Sequence, residues 1–77
     1  MASSLPDNPS LTRLRDEARR LQRGISDPAA LALVREHHPQ PDTALRRDRF
    51  ALHDAHLTVA RKYGFSGWPA LVHYLEA

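Results

Sequence analysis

The stretch Val59-Ala60-Arg61-Lys62-Tyr63-Gly64-Phe65-Ser66-Gly67-Trp68-Pro69 decides the fold. Ahead of and into it, Leu57, Ala60 and Tyr63 recur at helical spacing. Asp54 would stand in the first turn of that helix and Arg61 and Lys62 in the last. Periodicity and charge placement together predict a helix from His53 or Asp54 up to Gly64. Gly64 suits the left-handed residue that closes a helix, with Phe65 folding back on it. Ser66 can cap the next helix, Pro69 is tolerated in its first turn, and Trp68, Leu71, Val72 and Leu75 would face inward. Tyr63, Gly64, Phe65 and Trp68 are therefore expected to form a structural hinge between two helices and not a ligand site.

Upstream, Asp27-Pro28 joins a good N-cap to the residue best suited to the first helical position, so a helix starts near residue 28. Ala30, Leu31, Val34 and His37 share its stripe, and Pro39 and Pro41 prevent it from running much past His38. A loop is expected over 39–43. Residues 44–51 have fair helix propensity, but Leu45, Phe50 and Leu52 fit no single stripe, which predicts a turn of helix or an ordered loop. Nearer the start, Ser10 reads as an N-cap. Leu11, Leu14, Ala18, Leu21 and Ile25 follow at alternating steps of three and four, the seam of an amphipathic helix that Gly24 closes. Residues 1–9, with Pro6 and Pro9, read as a flexible arm. The expected fold is all-α: a small three- to four-helix bundle over residues 10–77, one domain, ending in a pair of helices like a helix-turn-helix.

With 77 residues the chain buries only roughly 60% of the surface its unfolded form exposes, so the aromatics Phe50, Tyr63, Phe65, Trp68 and Tyr74 are each expected to support the core. The absence of cysteine excludes disulfides and thiolate chemistry and fits a reducing bacterial cytoplasm. No apolar run approaches the roughly 20 residues of a spanning helix, and Met1–Pro6 lacks the n- and h-regions of an export signal. A net charge of +2 gives little of the long-range field expected of an obligate nucleic-acid binder.

Five histidines invite a metal or acid–base reading, above all His53 and His56 at i and i+3, which only His37, His38 or His73 could complete. A structural account suffices: His53 and His56 cap or stay solvated at a helix start, and His37 and His38 complement a helix C-terminus. Ser3, Ser4, Ser10, Ser26 and Ser66 lie in the arm or at N-caps, with no Gly-x-Ser-x-Gly elbow. With only Gly24, Gly64 and Gly67, no phosphate-cradling loop exists. No catalytic, metal or cofactor residue is therefore expected, and the chain is read as a non-enzyme. Residues 67–77, the second helix of the helix-turn-helix reading, contain no Arg, Lys, Asn or Gln to read bases. A phosphate-binding patch would draw on Arg13, Arg20, Arg46, Arg47, Arg49, Arg61 and Lys62, but a solvated face paired with Asp16, Glu17 and Asp48 accounts for much of the same charge.

The residues Ser10-Leu11-x-x-Leu14-Arg15-x-x-Ala18, Asp27-Pro28-x-Ala30-Leu31, His37-His38-Pro39 and Leu52-x-Asp54-Ala55-x-Leu57-x-x-Ala60-Arg61-x-Tyr63-Gly64-Phe65-x-x-Trp68-Pro69-x-Leu71 together resemble the helical N-terminal leader of bacterial ankyrin-repeat proteins. The most specific string, Ala-Arg-x-Tyr-Gly-Phe-x-x-Trp, is also similar to a short segment of some bacterial glyoxalase-related proteins. The resemblance implies an accessory or protein-contact module with no catalytic residue to carry over. No ankyrin repeat follows Ala77, so it implies either a fragment or a leader-like domain standing alone. His53 and His56 depart from the family's capping-box pattern. The expected function is a cytoplasmic, non-enzymatic interaction module that contacts another protein or its own copy. A helix-turn-helix nucleic-acid binder is the alternative, and a histidine-based metal or small-molecule site the third reading.

Overall fold

A computed structural model of the chain describes residues 10–46 and 50–76. Among these residues there are five helices and no strand: α1 (Leu11–Arg23), α2 (Pro28–His37), α3 (Pro41–Arg46), α4 (Leu52–Lys62) and α5 (Trp68–Glu76). The all-α expectation holds. The arm over residues 1–9, together with Arg47, Asp48, Arg49 and Ala77, lies outside the described residues.

The helix beyond the expected three or four is α3, which occupies what reads in the sequence as the loop 39–43 and the start of an irregular stretch. Pro41 acts here as a helix starter: its fixed φ suits the first helical position, and Asp42 in the first turn meets the positive end of the dipole. At α2 the expected cap forms, with the Ala29 N–H donating to Asp27 Oδ1 at 2.8 Å. Ser10 starts α1 through its carbonyl, which accepts from the Leu14 N–H at 3.0 Å; its hydroxyl makes no capping bond.

The junction between the last two helices forms as the glycine suggests. Gly64 has φ 91°, the left-handed region. The Phe65 N–H bonds back to the Ala60 carbonyl and the Gly64 N–H to that of Arg61, both at 3.0 Å, which is the paired pattern of a Schellman cap. The following helix starts one residue later than a Ser66 cap would imply, because it is the Gly67 carbonyl that accepts from the Leu71 N–H.

α4 is the hub against which α1, α2 and α5 all pack, while α3 leans on α2. The core is assembled from Leu14, Ala18 and Leu21 of α1, Val34 of α2, Ala44 of α3, Phe50, Ala55, Val59 and Ala60 around α4, and Leu71 of α5. Two expectations about facing change. The buried side of α4 runs through Asp54, Ala55, Thr58, Val59 and Ala60, and Leu57 and Tyr63 are only partly buried. Tyr74, expected in the core, is 60% exposed with its ring tilted against Phe65.

Candidate functional site

The arrangement that most resembles catalytic machinery is a buried pair at the N-terminal end of α4. His38, the C-cap of α2, places Nε2 2.9 Å from Oδ1 of Asp54, and both side chains are only 5% exposed. The sequence stripe favoured His37; the buried positions are Val34 and His38, one full turn apart. Pro39 holds His38 in an extended conformation, and in the resulting turn the Gln40 N–H donates to His38 Nδ1 at 2.9 Å. Nδ1 is thus an acceptor, the ring proton sits on Nε2, and that proton is donated to Asp54. Both nitrogens are occupied, so neither can take a proton from a nucleophile without breaking the turn. Thr58, one turn on, is also occupied, donating through Oγ1 to the Asp54 carbonyl at 2.8 Å. His53 Nε2 lies 3.5 Å from the same carboxylate oxygen. Among the described residues no buried side-chain nitrogen or oxygen lacks a partner, and no three His, Asp or Glu side chains are grouped to hold a metal ion.

A second polar cluster ties the other end of α4 to α1. Lys62 Nζ donates to Glu17 Oε1 at 2.7 Å, and the Tyr63 hydroxyl donates to the same carboxylate at 2.9 Å. Burial disfavours the Lys62 ammonium, but the hydrogen bond and charge of Glu17 outweigh it and raise its pKa above the ordinary 10.5. Burial and then Glu17 also push the Tyr63 hydroxyl above 10.0.

Between these two ties lies the candidate binding surface. α1 and α2 each pack on α4, and the space between them is an apolar cleft of about 230 Å³. Thr58 and Val59 of α4 form its floor, Leu21 one wall, Ala29, Ala30 and Leu33 the other, and Glu17, Arg20 and Lys62 its charged rim. A second groove, of mixed polar and apolar lining, shares Glu17 and Arg20 with the cleft and runs along α1 past Tyr63 to Arg13 and Ser10.

The basic residues singled out in the sequence are only partly brought together. Arg13 and Arg20 share this groove, interleaved with Asp16 and Glu17, and Lys62 is paired at its edge. Arg46 ends α3, and Arg61 donates to the Ser66 carbonyl at 3.3 Å; neither lines the groove. Arg47 and Arg49 lie outside the described residues. Tyr63, Phe65 and Trp68 of the distinctive string pack partly buried against the core. His56, expected at a cap or in solvent, lies flat against Trp68 with ring centroids 4.3 Å apart and planes at 15°.

The sequence reading named His38 and Asp54 but not their burial as a pair. The available signal was the i+4 step from Val34 to His38, outvoted by a preference for the His37 stripe. No helix among the described residues is long and apolar enough to cross a membrane. Comparison with known proteins leaves the site to be read from its own chemistry, since no family model, no curated protein and no solved structure matches the chain.

Proposed function

We propose that this chain is a non-enzymatic helical interaction module that receives one amphipathic helix of a partner protein in the cleft between α1 and α2. The cleft itself carries the reading: about 230 Å³ of apolar space, room for one or two large aliphatic side chains, open beside an exposed Arg20. Docked helices are anchored in this way, by apolar residues on one stripe with charges at the margin. At the rim Lys62 is already paired with Glu17, so the charge open to a visitor is Arg20, and the complementary partner carries an acidic residue beside its anchor. The non-enzymatic part of the reading is supported by His38, both of whose ring nitrogens are bonded inside the fold. A cytoplasmic setting and an accessory role beside a repeat protein, as the ankyrin-leader resemblance implies, are part of the same proposal. The helix-turn-helix alternative has the capped α4–α5 turn in its favour and the lack of base-reading side chains on α5 against it.

The test is selection from a displayed library of amphipathic helical peptides against the wild-type chain and against Ala29→Arg, which fills the exposed lip of the cleft. The expected result is enrichment of helices with an aliphatic anchor and acidic neighbours, whose binding Ala29→Arg abolishes. Enriched peptides that bind both proteins equally, or a concentration-dependent dimer that Ala29→Arg dissolves, would overturn the assignment of a partner helix to this cleft.

A further inference from the structure

The opposite flank of α1 carries different chemistry. At 100° per residue, Arg15 and Arg19 stand on the side of the helix turned away from Glu17 and Arg20, and both are exposed. The residues three and four positions from Arg15 are Leu11, Thr12, Ala18 and Arg19, so its one charged neighbour on the helix has the same sign. Among the described residues neither guanidinium joins an ion pair. Gln22, on this same flank, bonds the Phe50 carbonyl ahead of α4, which fixes the flank against the N-terminal half of α4, where His56 lies.

His56 feels that proximity. Its pKa is held below the ordinary 6.5, first by burial and then by the charges of Arg15, Arg19 and His53. At neutral pH the ring is therefore uncharged, and it stacks on Trp68, which opens α5 and is itself only partly buried. Two arginines of like charge beside a stacked pair of flat rings offer the two contacts that an unpaired nucleotide needs: cations for the phosphate and a π-surface for the base.

We propose that the face made by Arg15, Arg19, His56 and Trp68 binds a nucleoside phosphate, either free or as one unit of a single strand, with the phosphate on the guanidiniums and the base extending the His56–Trp68 stack. This face lies across α1 from the helix-binding cleft and does not depend on it. Nor does it revive duplex reading by α5, because stacking on an unpaired base uses no base-edge donors or acceptors from that helix.

Trp68 is the chain's only tryptophan, so its emission reports on the stack directly. The whole chain is titrated with AMP, with single-stranded oligothymidylate and with inorganic polyphosphate. A saturable change in Trp68 emission is expected with at least one of the first two. Response to AMP identifies the free nucleotide as sufficient, and response to the strand alone identifies a strand unit. Polyphosphate, which has no ring to stack, should move the emission distinctly less. The double variant Arg15→Gln/Arg19→Gln, at exposed positions, should keep its far-UV circular dichroism and bind at least about tenfold more weakly, the loss of two charge-assisted hydrogen bonds. An anion lodged between the guanidiniums offsets their field, so the His56 pKa read by NMR should rise on binding. The proposal is overturned if neither nucleotide form moves the emission, if polyphosphate moves it equally, or if the double variant binds as tightly as the wild type.

Discussion

The two ends of α4 are tied to neighbouring helices by polar side chains, yet by different physics. At the N-terminal end the His38 and Asp54 side chains are only 5% exposed, no buried polar atom there lacks a partner, and there is little solvent to replace a lost contact. At the C-terminal end Glu17, Lys62 and Tyr63 meet where water still reaches, the Lys62 and Glu17 side chains being 24% and 33% exposed. A tie of the first kind is costly to break and makes a site inert. A tie of the second kind contributes little to stability and leaves its charges within reach of solvent, and the apolar cleft opens beside Glu17 and Lys62.

Breaking the buried end should show the largest effect. Asp54→Ala leaves the His38 Nε2–H buried without an acceptor and should cost about 3 kcal/mol or more in chemical denaturation, a large share of what so small a domain has. Asp54→Asn keeps an oxygen in place to accept that proton and should cost distinctly less. Equal losses for the two variants would mean that charge, not the hydrogen bond, holds this end.

At the other end the backbone outweighs the ion pair. Gly64→Ala forces a Cβ into left-handed space at φ 91° and should cost about 1–2 kcal/mol, read from the same denaturation curves. Glu17→Ala should cost only about 0.5–1 kcal/mol, and the difference from wild type should shrink as salt is added. If Glu17→Ala matched Asp54→Ala, the contrast between the two ends would fail.

The smallest expected effect is one of pH. His56 binds its proton less readily in the folded chain than in the unfolded one. Its contribution to stability is therefore fully present above the ordinary value of 6.5 and is lost as the pH falls below it toward the depressed folded value. The stability of wild type relative to His56→Gln, read from melting curves, should be constant above neutrality and fall as the pH is lowered below 6.5.

What the sequence discloses follows from this contrast. The seam Leu14-Ala18-Leu21, the Asp27 cap and the Gly64 closure rest on local rules, periodicity and backbone geometry, and all three appear in the structure. Asp54 and Thr58 escaped because burial of a polar residue depends on a partner distant in the chain: nothing near Asp54 announces that His38, sixteen residues earlier, will meet it. The same holds for His56 and Trp68, joined only when α5 folds back on α4. α3 was misjudged for a local reason, with Pro41 taken as the end of one helix when it begins another. The cleft is illegible in principle from one strand of text, since its walls come from three helices that share no motif.

The proposed non-enzymatic role requires His38 to be a structural residue with neither ring nitrogen free. Nitrogen-15 NMR of the histidine rings tests this directly. The predicted result is a single ring tautomer, with Nε2 protonated and slow to exchange with water and Nδ1 an unprotonated acceptor. A His38 ring protonated at Nδ1, or one that exchanges freely with solvent, would contradict it and return the pair with Asp54 to the list of candidate general bases.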